Sequence, residues 1–251
     1  MIEIRDLHKS FGGQEVLKGV NLVIPQGQIT VILGRSGAGK SVLLKHMIGL
    51  FRPDRGEILV MGKDITRMGE RELMELRKRF GMLFQEGALF DSLTVAENVA
   101  FPLREHTDLP EKEVQEVVIR RLEEVGLAEA ADKMPSELSG GMKKRAALAR
   151  ALALDPDIVL FDEPTTGLDP VVAGTIEELI IETQRHLGKT FVVITHDLKT
   201  ALRISQKMAL LEGGRIAIEG RPEEVLHSGH PLLEAFLKRE RYGAPREEVK
   251  G

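Results

Sequence analysis

The sequence feature that most constrains this chain is a glycine-rich stretch with the pattern G-x-x-x-x-G-K-S. Its residues are Gly34, Arg35, Ser36, Gly37, Ala38, Gly39, Lys40 and Ser41. The apolar run 29–33 before it predicts a buried strand, and residues 42–50 after it predict a helix. A glycine loop between a strand and a helix is the context in which this pattern binds phosphate. With average residue frequencies, a chain of 251 residues would contain roughly 0.02 such matches by chance.

The residue types in this loop suit a nucleoside triphosphate. Gly37 and Gly39 have no Cβ, so the backbone can wrap around a phosphate and point its N–H groups inward, aided by the positive end of the helix dipole. In such a loop, Lys40 reaches the β- and γ-phosphates and the Ser41 hydroxyl binds Mg²⁺. The alternative interpretation is a glycine turn that caps an ordinary helix.

The composition excludes several other classes of protein. The length of 251 residues fits one large α/β domain or two small ones. The net charge of −4 provides no overall field for nucleic acid. The absence of cysteine removes disulfides, zinc–thiolate sites and thiol catalysis. Because no run of 18 apolar residues and no signal segment occur, we expect a soluble, cytoplasmic chain that reaches a membrane only through a partner.

Hydrophobic patterns predict strands on both sides of a helical stretch. We expect an edge strand over 1–7, further strands over 16–24, 57–60, 80–84, 158–161 and 191–194, and a hairpin over 207–220. Helices are predicted over 71–79, 95–101, 110–125, 139–154 and 175–186, and Pro102 is expected to end the second of them. Strand patterns disappear over 86–155. We therefore predict one domain over 1–251 with a helical subdomain over about 86–155, a helical tail over about 221–251 and a frayed end over 246–251.

Three of the predicted strands end in polar residues. The strand 29–33 leads into the glycine loop, 158–161 into Asp162 and Glu163, and 191–194 into Thr195 and His196. Because the carboxyl ends of parallel strands line the ligand crevice of a doubly wound sheet, we expect these residues to converge on one phosphate. Asp162 suits a carboxylate that holds Mg²⁺, and Glu163 suits a base or a group that orients the attacking water. A structural ion pair is the alternative for these carboxylates.

Three single residues are further candidates, each with a plainer alternative. His196 could hydrogen-bond the γ-phosphate, although a histidine at a strand end also serves as a cap. Gln85 could reach the metal or the water, and is otherwise an ordinary loop residue. Phe11 lies beside two glycines on a predicted turn, where it could stack on a nucleobase or make a core contact.

A second candidate anion site follows about a hundred residues after the first, and comprises Leu138, Ser139, Gly140, Gly141 and Met142. Ser139 is a favourable N-cap, and the two glycines expose backbone N–H groups of the first helical turn. A symmetric dimer in which each chain completes the other's site would explain two such anion sites in one chain. The alternative is a capped helix packed beside a loop.

Together these residues resemble the ATP-binding-cassette (ABC) ATPases over residues 1–230. The matching elements are Phe11, the Walker A loop 34–41, Gln85, the signature 138–142, the Walker B carboxylates Asp162 and Glu163, the segment 166–169 and His196. The resemblance implies an α/β fold of the P-loop NTPase class: a mainly parallel core sheet, an N-terminal antiparallel β subdomain and an inserted helical subdomain. Two residues depart from the commonest family pattern, Met142 in place of Gln and Phe11 in place of Tyr.

The resemblance also implies residue roles. ATP and Mg²⁺ are the implied cofactors, in a head-to-tail homodimer where the signature of one chain contacts the γ-phosphate held by the other. The catalytic residues would be Lys40, Glu163 and His196, and the metal ligands Ser41, Gln85 and Asp162. The nucleotide contacts would be Phe11, Val16, the loop 34–41, Val42, Gln85, Ser139, Gly140, Gly141 and Asp169, the last linking the two sites.

A narrower resemblance is to the ATPase subunits of Mla-type phospholipid transporters, and rests on the stretches 82–90, 98–107 and 134–142. Within that group Met142 is the expected residue. The implied partners are an integral membrane permease, an MCE-type lipid-binding protein and a STAS-domain protein, with no nucleic acid, at the cytoplasmic face of the inner membrane. The alternatives are a motor for another solute, a soluble ABC ATPase and a non-catalytic nucleotide-binding scaffold. The soluble ATPase fits less well, because the chain has one cassette and no long coiled-coil insertion.

Overall fold

The computed structural model describes residues 1–85 and 87–242, so the predicted frayed end lies outside the described residues. The strands are β1 (Ile2–Phe11), β2 (Gln14–Ile24), β3 (Ile29–Leu33), β4 (Arg55–Val60), β5 (Lys63–Asp64), β6 (Phe80–Leu83), β7 (Ile158–Asp162), β8 (Thr190–Thr195), β9 (Lys207–Glu212) and β10 (Arg215–Gly220). The helices are α1 (Lys40–Met47), α2 (Glu70–Arg77), α3 (Val95–His106), α4 (Glu111–Glu124), α5 (Gly140–Leu152), α6 (Pro170–Leu187), α7 (Leu198–Ile204), α8 (Pro222–Leu226) and α9 (Pro231–Tyr242).

In the described part of the chain the strands form two sheets, and these match the predicted fold class. An antiparallel sheet has the strand order β2-β1-β4-β5, and a second sheet has the order β10-β9-β3-β8-β7-β6. In the second sheet the neighbours from β9 to β6 are parallel, and only the β9–β10 hairpin is antiparallel. The hairpin turns at Gly213 and Gly214 as expected, because both adopt positive φ angles of 55° and 81°.

The parallel sheet is covered on both faces, which explains why its strands are continuously apolar. Along β8, Phe191 and Val193 belong to a core shared with α3 to α7, whereas Val192 and Ile194 belong to a second core shared with α1 and the antiparallel sheet. All six residues of β8 are buried. Between β6 and β7 the described residues form the helices α3, α4 and α5 and short 3₁₀ turns.

Three predictions about individual elements are wrong. The first strand is not an edge strand, because β1 pairs with β2 on one side and with β4 on the other. Pro102 does not end its helix: α3 continues to His106, since buried Val99 and Leu103 keep its apolar face in the core on both sides of the proline. Helix α6 begins at Pro170 rather than at residue 175, because the Asp169 carboxylate accepts hydrogen bonds from the first turn and proline fits the first helical position.

The contact between β6 and α5 depends on a glycine. A Cβ at Gly81 would lie 2.3 Å from the carbonyl oxygen of Ala151, near the end of α5. We expect Gly81→Ala to lower the free energy of unfolding by about 1–3 kcal/mol, because a close backbone contact must open. Denaturant titration followed by circular dichroism measures this. Gly69→Ala is the control, since the nearest atom to its added Cβ lies 3.6 Å away, and an equal loss in both variants would contradict the prediction.

No helix within 1–85 and 87–242 has the length and apolar character needed to cross a membrane.

Candidate nucleotide-binding site

The parallel sheet brings the three polar strand ends together. The strands β3, β8 and β7 are neighbours in that order and all run in the same direction. At their carboxyl ends, the backbone N–H of Gly34 donates to the carbonyl of Thr195 at 3.2 Å. The N–H of Glu163 donates to the carbonyl of Ile194 at 3.0 Å. The glycine loop, the carboxylate pair and His196 therefore lie side by side.

The glycine loop has a backbone shape that side chains would prevent. Gly37 and Gly39 have φ angles of 78° and 99°, and Gly39 is the N-cap of α1. A Cβ at Gly39 would lie 3.2 Å from the Val16 side chain, and one at Gly34 would lie 2.6 Å from the carbonyl of Leu211. The loop is thus packed between β2 and β9, and its residues 35–37 are exposed shortly before the start of α1. This cradle fits a phosphate group.

Lys40 joins the glycine loop to the carboxylates. Its Nζ donates to the carbonyls of Gly34 at 2.8 Å and Arg35 at 3.2 Å. The same Nζ lies 3.2 Å from Glu163 Oε1, and the Lys40 side chain is only 6% exposed. A phosphate held by Lys40 therefore lies next to Glu163.

The residues around Ser41 fit a hard divalent cation. Ser41 Oγ donates to Asp162 Oδ1 at 3.4 Å. Burial raises the pKa of the Asp162 carboxyl above its ordinary value; the hydrogen bond from Ser41 opposes this, and the nearby charge of Glu163 adds to it. Within 1–85 and 87–242, no group of three or more His, Cys, Asp or Glu residues could hold a metal. One hydroxyl and one carboxylate fit Mg²⁺, which takes its remaining ligands from water and phosphate.

Glu163 is a buried carboxylate held from several sides. It is 8% exposed, and its φ of 50° places it in the left-handed region, where a non-glycine residue is strained. Its Oε2 accepts hydrogen bonds from Thr166 Oγ1 at 3.2 Å and from the N–H of His196 at 3.3 Å, and lies 2.9 Å from His196 Nδ1. The contact with Thr166 was missed by the sequence analysis, although Thr166 lies three residues after Glu163.

The remaining candidates for nucleotide contact differ in how exposed they are and in which residues they touch. Phe11 ends β1 and is 41% exposed, with its ring 5.4 Å from that of Phe51 and 5.4 Å from Lys9 Nζ. Val42 is partly buried in α1. The Gln85 side chain is exposed; among the described residues it makes no hydrogen bond to Ser41, Asp162 or Glu163.

The residue that anchors the backbone at Gln85 has no recognisable sequence pattern. Lys144 Nζ, from α5, donates to the Gln85 carbonyl. The loop after β6 is therefore tied to the helix that begins at the glycine signature.

The second candidate anion site is a helix N-terminus. Ser139 caps α5, and its Oγ accepts from the N–H of Met142 at 3.3 Å. Ser139 and Gly140 are exposed, whereas Gly141 is buried against α6, where an added Cβ would lie 2.6 Å from Val172. Asp169 is exposed at the adjacent start of α6. The signature at the start of α5 and Asp169 at the start of α6 therefore lie next to each other.

A phosphate cradle at a strand end, a lysine inside it and a carboxylate pair on a neighbouring parallel strand together define a P-loop nucleoside triphosphatase. The comparisons with known proteins narrow this class. Residues 17–166 match the family model described as ABC transporter. The chain belongs to the ABC transporter family, and it is an ATP-binding ATPase cassette.

Individual relatives agree with this assignment. The chain is 47% identical to the intermembrane phospholipid transport system ATP-binding protein MlaF of Haemophilus influenzae, over 98% of this chain and 93% of that protein. It is 46% identical to the probable ribonucleotide transport ATP-binding protein mkl of Mycobacterium leprae, over 96% of this chain and 70% of that protein. These similarities confirm the resemblance to the ABC ATPases and the narrower resemblance to the ATPase subunits of Mla-type phospholipid transporters.

A solved structure also has this fold. The dimeric post-hydrolysis structure of the ATP-binding cassette MJ0796 bound to ADP and Pi is similar with a TM-score of 0.80 and 32% identity. The match covers 88% of this chain and 99% of that one.

Proposed function

We propose that this chain is the ATP-hydrolysing subunit of a membrane transporter that moves phospholipids between the inner and outer membranes. The carboxylate of Glu163, held between Lys40 and His196, is the observation that carries the hydrolytic part of the proposal. The phospholipid part is supported by the near full-length similarity to MlaF of Haemophilus influenzae.

In the proposed reaction, the loop 34–41 and Lys40 bind the phosphates of ATP. Ser41, Asp162 and Gln85 would hold Mg²⁺, and the ion would neutralise negative charge on the phosphates. Glu163 orients or deprotonates the attacking water. His196 Nδ1 lies 2.9 Å from Oε2 of Glu163, and His196 would contact the γ-phosphate from that position.

The proposed active form is a head-to-tail homodimer. Ser139 and Gly140 are exposed at a helix N-terminus, and within the described residues the Ser139 hydroxyl makes only a local capping bond. With Gly141 they would contact the γ-phosphate bound by the partner, and Asp169 would link the two sites. The dimeric structure of MJ0796 supports a dimer as the active form.

A groove between α2, β6, α3 and α5 supports a permease as partner. It has a volume of about 690 Å³, and its apolar lining includes the partly exposed Phe84, Phe90 and Phe101. An apolar helix fits such a groove.

We propose that the chain is one domain, with a helical subdomain over 86–155 and a tail over 221–251. It would be peripheral on the cytoplasmic face of the inner membrane, with MCE-type and STAS-domain proteins in the assembly and no nucleic acid.

A second candidate function is transport of another solute by the same motor. The name of the Mycobacterium leprae relative, which describes probable ribonucleotide transport, favours this alternative. The ATP chemistry would be identical, because it depends on residues 34–41, 162–163 and 196 rather than on the transported molecule.

Purification of the tagged chain from its native membrane in mild detergent, followed by protein and lipid identification, tests the proposal. We expect a permease, an MCE-type protein and phospholipid. A permease with a different solute receptor would support the second candidate, and the absence of any membrane protein would contradict transport.

Phe101→Glu should abolish recovery of the permease. The control is Ile119→Glu, because Ile119 is 54% exposed on α4 and does not line the groove.

Phe11 provides a separate prediction on nucleotide recognition. Base–aromatic stacking contributes about 1–3 kcal/mol, so Phe11→Ala should raise the KM for ATP roughly 5- to 150-fold and leave kcat nearly unchanged. Steady-state kinetics measures both constants, and Phe11→Tyr should retain the parent KM. A large fall in kcat without a change in KM would contradict the stacking role.

A further inference from the structure

Within residues 1–85 and 87–242, two carboxylate residues are less than a tenth exposed, Glu163 at 8% and Glu177 at 6%. Glu163 has a place in the proposed reaction, whereas Glu177, on α6, has none. A buried carboxylate is costly unless it is paired and hydrogen-bonded. The contacts of Glu177 therefore indicate what it does.

Both oxygens of Glu177 accept hydrogen bonds from α7. Oε1 accepts from Thr200 Oγ1 at 2.5 Å, and Oε2 accepts from Arg203 Nη1 at 3.0 Å. Gly174 leaves room for the guanidinium, since a Cβ there would lie 3.2 Å from Arg203 Nη1. The charge of Glu177 is thus balanced by Arg203, and its other oxygen holds the Thr200 hydroxyl.

The hydroxyl of Thr200 extends this contact to a third segment. Thr200 Oγ1 lies 3.5 Å from Thr165 Oγ1, and the two threonines are 3% and 9% exposed. A hydroxyl has one hydrogen, and Thr200 donates its own to Glu177. Thr165 must therefore be the donor in its contact with Thr200. The three residues form a directed series from Thr165 through Thr200 to Glu177.

Two members of this series, Thr165 and Thr200, lie beside the residues that hold Glu163. Thr165 directly precedes Thr166, which donates to the Glu163 carboxylate. Thr200 lies in the first turn of α7, and its N–H donates to the capping carboxylate of Asp197 at 2.9 Å, immediately after His196. The series therefore connects the segment after β7 with the segment after β8.

We propose that Thr165, Thr200 and Glu177 are positioning residues that fix Glu163 and His196 relative to each other. This inference rests on the proposed role of Glu163 in ATP hydrolysis. None of the three residues contacts the reacting atoms. They act by holding the two strand-end segments at one separation, so that the carboxylate is presented to the water in one orientation.

The test compares two substitutions at Thr200 in the purified chain of 251 residues. Thr200→Val keeps the shape of the side chain and removes the bridging hydroxyl. We expect kcat for ATP hydrolysis to fall about tenfold, because small displacements of catalytic groups reduce rates strongly. The KM and the affinity for ATP should keep their parent values, because the phosphate loop is untouched. Thr200→Ser restores the hydroxyl and should restore kcat.

A second variant keeps the test valid if Thr200→Val folds poorly. In Glu177→Gln, the amide oxygen faces Arg203 and the NH₂ group donates to Thr200, which reverses the series while preserving its volume. This variant should also lower kcat at constant KM. Its control is Gln184→Leu, because Gln184 lies on the same helix at 6% exposure but donates to Gly27 and Lys189 at the other end of the sheet.

Thermal unfolding of all variants separates positioning from stability. A parent kcat in either Thr200→Val or Glu177→Gln would overturn the inference. So would an equal fall of kcat in Gln184→Leu at a similar melting temperature. Glu163→Gln is measured in parallel: a parent rate in that variant would refute the proposed function itself, whereas loss of its activity beside fully active Thr200→Val would refute the positioning role alone.

Discussion

Glu163→Gln is expected to lower kcat for ATP hydrolysis by about 10²–10⁴-fold, the range associated with loss of a general base or water-orienting group. The amide has the same size as the carboxylate and can still accept a hydrogen bond from Thr166 or His196. It cannot take a proton from water, and it weakens the ion pair with Lys40, whose Nζ lies 3.2 Å from Oε1. Binding of ATP should therefore persist while its hydrolysis stops.

Two measurements check this prediction. A coupled assay gives kcat, and size-exclusion chromatography with ATP shows whether the variant accumulates as a nucleotide-bound dimer. The matched control is Glu182→Gln, which makes the same substitution on the exposed side of α6 and should keep the parent rate. Hydrolysis by Glu163→Gln at the parent rate would show that another group orients the water.

Much of the fold follows from sequence because its strands are buried on both faces. The continuous apolar runs of β3 and β8 predict central parallel strands, and all the residues in both are buried. The errors arise where tertiary contacts outweigh local rules. Alternation along β1 indicates one polar face but does not show how many neighbours the strand has. Pro102 weakens its helix locally, yet the buried Leu103 beyond it keeps the chain helical.

In the candidate site, too, some features could be predicted from the sequence and others depend on tertiary contacts. The loop 34–41 is a contiguous pattern, so its shape and its place between β3 and α1 could be predicted from spacing alone. The contacts of Glu163 with Lys40 and His196 join residues far apart in the chain, and depend on the strand order β3-β8-β7. The series from Thr165 to Glu177 has no sequence pattern, because isolated threonines and a helical glutamate are ordinary residues until α6 and α7 pack together.

The signature provides the second large prediction, because it tests whether each site is completed by a partner chain. Ser139→Arg should reduce hydrolysis at least a hundredfold, the scale of losing a positioned donor to a developing charge, together with steric obstruction of the dimer. Loss of the α5 cap costs only about 1 kcal/mol, so the chain should still fold. ATP binding by the monomer should remain, since the loop 34–41 is unchanged. Ser136→Arg, an exposed position in the preceding turn, is the control.

A mixed dimer then separates completion in trans from a site within one chain. One chain carries Ser139→Arg and the other carries Lys40→Met. If Ser139 serves the partner's nucleotide, both defects fall in one site and the other site is intact, so single-turnover hydrolysis of about one ATP per dimer should return. If Ser139 serves its own chain's nucleotide, both sites are defective and no hydrolysis returns. Parent activity in the Ser139→Arg homodimer would exclude the signature from the reaction altogether.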